Sequence, residues 1–388
     1  YTPTHTLSLH DALPISPSDA HHQDAETADA EVCVRDPGPA DIQRAVVVSH
    51  PYDSNGNAAD TYEALSMDTS GAFAFPGEGF TLSRSTMARV VFTPDGEVGL
   101  VAQEDGTLGV FTVGSDGSIT VVHDSFNGSF YAADVVMDPS GQRAYILDSQ
   151  WRENGGGIYS VHIGCDGTVT EEGLWAPAQL PYAMMFIPGT DQVVVAAEDI
   201  LDSVADTNVH LLNWSATPTV VASADAFGDN ESIIEGYAIT HDGKYVLLGD
   251  NNAYSSEPNR VAVVQVGPGA LTPAQMLSPV EDPVEIVTSP YDNAALVVSG
   301  FGDAVFKLTY DPQNASTPFT MGAEVSGPAL PGKAAVLTRG SLTGWVFIAE
   351  NVGVRQLVFE TDGTITDLGQ VSPGSGLENV VGAVGVQP

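Results

Sequence analysis

A short apolar segment ending in a turn recurs seven times along this chain, and that repetition restricts the fold more than any other feature. The copies are ARVVFTPDG around Phe92, ADVVMDPSG around Met137, AMMFIPGTD around Phe186, GYAITHDG around Ile239, VEIVTSPYD around Val287, KAAVLTRG around Leu337 and VGAVGVQP ending at Pro388. Pro94, Pro139, Pro188, His241, Pro290, Arg339 and Pro388 then mark equivalent turns. Their spacing stays between about 45 and 53 residues, the length a four-stranded blade needs.

Six copies are followed by a second apolar run: EVGLVAQ, RAYILDS, QVVVAAE, KYVLLGD, AALVVSG and GWVFIAE. Each is continuous enough in Val, Ile, Leu and Ala to be covered on both faces by neighbouring blades. Third runs such as LGVFTVG and VRQLVFE alternate more, and Asp116-Gly117, Asp166-Gly167 and Asp362-Gly363 supply tight turns into fourth strands. The last copy has no successors. AVVVSH from Ala45, TYEALSMD from Thr61 and GAFAF from Gly71 are successors with no first strand. Joined, the two ends make one blade. The expectation is an all-β, seven-bladed propeller over residues 42–388, closed by pairing its C-terminal inner strand with N-terminal strands, which leaves no open sheet edge.

Charge narrows function. Twelve Lys and Arg against 50 Asp and Glu give a formal net charge of -38. Phosphate backbones and anionic membrane surfaces need basic clusters, and this chain has none, so nucleic-acid and membrane-surface roles are excluded. No run approaches the roughly 18 apolar residues of a membrane helix. The acidity suits a solvated surface, divalent cations or cationic partners. A monomer binding a protein, or a small-molecule or carbohydrate ligand, is expected.

The N-terminus reads differently. TLSLHDALPI, Thr6 to Ile15, looks like a translated reading frame of a sequencing-library adapter, so residues 1–16 are set aside as an artefact. Residues 17–41 lack hydrophobic periodicity and are expected to form a disordered acidic leader, of the kind that links an export signal to a domain. An extracytoplasmic location, periplasmic or secreted, follows as an expectation. Cys33 and Cys165, the two cysteines, suit either one disulfide or two inert thiols.

The PDG turn, the buried second strand and hairpins such as VFTVGSDGSIT and LVFETDGTIT resemble the YVTN-type propellers of the lactonase-like family, which includes 6-phosphogluconolactonase-type enzymes. The resemblance implies the propeller fold along essentially the whole ring. Active lactonases of that family carry His, Arg and Glu at the channel mouth, typically with His just before an inner strand. Here the inner strands begin Met87-Ala88, Tyr131-Ala132, Tyr182-Ala183, Glu235-Gly236, Pro283-Val284, Gly332-Lys333 and Asn379-Val380, with no His among them. The fold carries over; the catalytic residues do not.

Function is expected where long loops gather around the channel. Trp151, Arg152 and Glu153, with Asn251, Asn252 and Tyr254, are the rim candidates for a ligand or partner. Asp53, Asn55, Asn57 and Asp60 space oxygen atoms along a Gly-containing loop, as a Ca²⁺ site would. Glu198, Asp199, Asp202 and Asp206 are a second acidic group, read foremost as a solvated rim. Glu235 and Arg152 are the catalytic candidates if the chain is a lactone hydrolase, and no GxSxG motif suggests a hydrolytic triad. An enzyme should show a deep polar channel pocket; a binding scaffold should show a plugged channel.

Overall fold

The computed structural model describes residues 33–388 except 54, 150–155, 202, 204–205, 229–232, 252–258, 279–280 and 372–380. Among the described residues the regular structure is all strand, in seven four-stranded antiparallel sheets and one two-stranded ribbon. In blade 2 the inner strand Val90–Phe92 pairs with Val98–Ala102, then Leu108–Val113, then Ile119–Phe126. Blades 3 to 7 repeat this order from inner strands Ala132–Met137, Ala183–Phe186, Ile234–Ile239, Pro283–Thr288 and Ala334–Val336.

Blade 1 closes the ring as the sequence suggests. Val384–Val386 forms its inner strand and Arg44–Tyr52, Ala58–Met67 and Phe73–Thr81 the other three. The seam is antiparallel, with Val46 opposite Val386, Val47 opposite Gly385 and Val48 opposite Val384. Side chains reinforce it. Gln387 Oε1 accepts the Ala45 amide at 3.0 Å while its Nε2 donates to the Gly96 carbonyl of blade 2. Buried Ser49 donates to the Thr86 carbonyl and accepts the Ala383 amide.

Seven apolar clusters lie between blades, one for each neighbouring pair, including the pair across the seam where Val46, Val48 and Val384 meet Phe347 and Ala349. This explains the continuous second-strand runs: Val98–Ala102 and Ala294–Ser299 are buried at every residue because both sheet faces meet a neighbour. Fourth strands are exposed at the perimeter, and Val169–Ala176 alternates accordingly. Near the axis the strands crowd. A Cβ on Gly236 would lie 2.6 Å from the Pro283 carbonyl oxygen, so only glycine fits there.

Antiparallel order sorts the connections. Turns from inner to second strand and hairpins from third to fourth lie on one face, the turn face. Connections from second to third strand and from blade to blade lie on the other, the loop face. One departure from expectation appears at the N-terminus. Residues 33–41 belong to the compact unit that runs to Pro388, and Arg35 is 4 % exposed within it. The leader expectation therefore fails for this stretch, which is anchored by the Arg35–Asp95 ion pair and by polar contacts to main-chain atoms and needs no hydrophobic periodicity. The rest of that segment, and residues 1–16, lie outside the described residues.

Candidate functional site

Counting five residues back from each turn position gives one register on all seven inner strands: Arg89, Asp134, Ala183, Gly236, Glu285, Ala334 and Ala383. Three of these positions are charged, Arg89 and Asp134 on adjacent blades and Glu285 across the ring, and the other four are small. Arg89 reaches from blade 2 to blade 6, where its Nε donates to Glu285 Oε2 at 3.0 Å and its Nη2 donates to Glu285 Oε1. Nη2 also donates to the Tyr237 carbonyl at 3.0 Å, and the guanidinium carbon lies 3.6 Å from the centre of the Tyr237 ring. Tyr237 donates its hydroxyl to Asp134 Oδ2 at 2.7 Å, and that carboxylate stands 4.0 Å from Arg89 Nη1. Blades 2, 3, 5 and 6 are joined through one polar circuit.

Burial sets its electrostatics. Burial works against the Arg89 charge, but the Glu285, Tyr237 and Asp134 groups outweigh it and hold the guanidinium above its ordinary pKa. Burial foremost, with Asp134 adding to it against the opposing Arg89 charge, raises the Tyr237 phenol well above its usual range, so it stays a donor. Glu285 is 1 % exposed and accepts the Ile286 amide as well. Its carboxylate is committed to Arg89.

Toward the loop face, Lys333 of blade 7 donates to the Val284 carbonyl at 2.7 Å and the Glu235 carbonyl at 3.2 Å, bridging three blades with one ammonium. Glu235 turns its carboxylate outward to accept Asn251 Nδ2 at 2.6 Å. Beside them Asp282, 3 % exposed, accepts the Phe301 amide. Burial foremost, with the nearby Glu235 and Glu281 charges, raises its pKa against that hydrogen bond. A cleft of about 400 Å³ opens across the ring between Thr86–Ala88, Gln103, Glu104 and Tyr131–Ala133.

Of the sequence candidates, the structure brings together Glu235 and Asn251. Trp151, Arg152, Glu153, Asn252 and Tyr254 lie outside the described residues. Asp53 Oδ1 accepts the Asn55 and Asn57 amides at 2.8 Å each, and the Asn57 side chain donates to both its oxygens, so local N–H groups occupy this carboxylate. Asp60 sits seven residues on, in strand Ala58–Met67. Among the described residues no group of three or more His, Cys, Asp or Glu side chains gathers. In the described part of the second acidic group, Asp199–Ile200 pairs with Ala178–Gln179 and exposed Glu198 accepts Gln179 Nε2 at 2.7 Å, while Asp202 lies outside the described residues.

Sequence reasoning missed Arg89, Asp134, Tyr237 and Glu285. The signal existed as charges at one repeated register of otherwise apolar strands. No family model matches the chain, and no curated protein matches it in sequence. Solved structures do. A 6-phosphogluconolactonase candidate from Bacteroides fragilis superposes with a TM-score of 0.62 at 13% identity, covering 90% of this chain and 99% of its own. The fold is that of the lactonase-like propellers. A similar protein from Bacteroides uniformis gives 0.64 at 12% identity, over 89% of this chain and 99% of its own. Sqt1 from Chaetomium thermophilum, bound to the N-terminus of the ribosomal protein L10, gives 0.52 at 15% identity over 86% and 88%.

Proposed function

We propose that this chain is an exported, non-catalytic binding module whose loop face receives a cationic segment of a partner protein. The observation that carries the reading is the Arg89, Glu285, Tyr237 and Asp134 circuit, which commits the charged side chains of the inner strands to one another across blades 2, 3, 5 and 6. Around it the loop face exposes Glu104, Asp105, Glu198, Asp199, Asp206, Glu281 and Asp303, against half-buried Arg84 and Lys333. Such a field speeds encounter with a positive segment and selects against anionic ligands. The Sqt1 complex supports the reading as a propeller of comparable fold that holds a protein terminus.

Titration of the full chain with a Lys- and Arg-rich peptide tests it. Binding should weaken steeply with added salt. The E104Q/E198Q/D199N/E281Q variant should lose about tenfold in affinity, while D116N/D166N/D311N/D362N, neutralising as many charges on the turn face, should lose little. Equal losses would reduce the effect to net charge and sink the proposal. The second reading, a lactone hydrolase, is favoured by the lactonase-candidate neighbours and by acid and base groups meeting on the axis. Turnover of a sugar lactone that disappears in E285Q would replace the first reading with the second.

A further inference from the structure

We propose that Cys33 and Cys165 are the two halves of a disulfide that locks residues 33–41 as a strap across the turn face, over the seam where the ring closes. The path of the strap carries the argument. It starts on blade 3, where Gln142 Nε2 donates to the Cys33 carbonyl at 3.1 Å and Arg35 Nη2 donates to the Gly164 carbonyl at 2.6 Å. It crosses blade 2, where Arg35 Nη1 pairs with Asp95 at 2.9 Å. It then reaches blade 7, where Arg339 Nη1 donates to the Gly38 carbonyl at 2.8 Å and Asp41 accepts the Ser341 amide at 2.6 Å. Arg339 also donates to the carbonyls of Pro388 and Pro94, so one side chain ties the strap, the C-terminal strand and two blades.

The two thiols are brought together by these contacts. Cys165 sits in a hairpin held by the Gly164 amide donating to the Thr168 carbonyl and by Asp166 accepting the Thr168 amide. Arg35 grips the residue before Cys165, and Gln142 grips Cys33 itself. The neighbouring Cys165 thiol foremost, with burial, pushes Cys33 up to about 11. Val34 between these anchors is 73% exposed. The strap is therefore held by polar bonds with little apolar burial, the situation in which a covalent tie adds most.

The chemistry is exchange with a low-molecular-weight disulfide RSSR, an oxidant of an extracytoplasmic kind. The exposed Cys165 attacks first as thiolate, forming a Cys165–S–SR mixed disulfide and releasing RS⁻. Cys33 then loses its proton and attacks the Cys165 sulfur, releasing the second RS⁻. Two cysteine thiols are oxidised, RSSR is reduced to two thiols, and the two cysteine protons end on them. The bridge closes a long loop in the unfolded chain and should raise Tm by about 5 °C for a chain of this size.

The test is incubation of the full chain in glutathione redox buffer, followed by intact mass, alkylation and thermal melting. The expected result is a monomer lighter by about 2 Da that resists alkylation, with a raised Tm that dithiothreitol and the C33S and C165S variants each abolish. Glutathione retained on Cys165 with Cys33 still alkylatable would overturn the pairing, as would cross-linked dimers on a non-reducing gel. A bridge that forms without moving Tm would overturn the locking role.

Discussion

Charged side chains occupy two contrasting regions of this propeller. On the axis, Glu285 and Asp134 are held by Arg89 and Tyr237 from other blades, so each charge depends on residues far away in sequence. In the third-to-fourth hairpins of the turn face, each acid is held by its own turn. Asp116 Oδ1 accepts the amide and hydroxyl of Ser118 at 3.0 and 2.6 Å, and Asp166 and Asp362 treat Thr168 and Thr364 in the same way. The same chemical group is tertiary glue in one region and turn punctuation in the other. A net charge of -38 read as undifferentiated solvated surface hides this division.

The contrast breaks most visibly at Arg89. Arg89→Met leaves Glu285, 1 % exposed, without its counter-charge, and loss of one partner of a buried pair costs about 3–5 kcal/mol. R89M/E285M should recover much of that, since two apolar groups have no charge to desolvate. Urea unfolding of the three chains checks both statements. A cost under about 1 kcal/mol for R89M would mean that water reaches Glu285, which would also weaken the binding-module reading.

The two regions were unequally legible in the sequence. The blades were plain because their signal is local and repeated: an apolar run, a turn, another run. Even the seam of Val46–Val48 with Val384–Val386 followed from matching an incomplete beginning to an incomplete end. The hairpins were equally plain, since Asp-Gly carries its turn within two residues. The axis was not. Arg89 and Glu285 are 196 positions apart, and which inner strands face each other depends on the ring's geometry. The strap escaped for another reason: Gly38 offers only a main-chain carbonyl, and Gln142 takes the carbonyl of Cys33, so neither contact leaves a side-chain signature. At Asp53 the oxygen spacing suggested a cation, but the same loop brings Asn55 and Asn57 N–H groups to that carboxylate.

Asp242 sharpens the comparison by lying between the two cases. It ends blade 5's inner-strand turn and accepts Thr240 Oγ1 at 2.7 Å locally, yet it also accepts the hydroxyl of Tyr310 from blade 6 at 3.0 Å. Tyr310 is 5% exposed, so Asp242→Ala leaves a buried hydroxyl unpaired and should cost about 1–2 kcal/mol by the same unfolding assay. A cost as large as that of R89M would erase the distinction between local and inter-blade acids.

The smallest effect is expected in the hairpins, and pH exposes it. Hydrogen bonds from Ser118, Thr168 and Thr364, side chain foremost, hold the carboxyls of Asp116, Asp166 and Asp362 below their ordinary value of 3.8. With the folded value below the unfolded one, the stabilisation is complete above about pH 4 and is lost as pH falls through the folded values. In D116N/D166N/D362N the amide oxygen still accepts the turn's N–H but has no proton to take up. The wild-type advantage in urea midpoint should therefore be slight near neutrality and should shrink as pH falls below about 4. The variant also sheds three negative charges from a chain already at -38, which offsets some of its loss at neutral pH. Measuring in about 0.15 M salt limits that offset, because repulsion across more than about 8 Å is screened while the hairpin bonds are not. A difference that stays constant with pH would show that these carboxylates gain nothing from their turns.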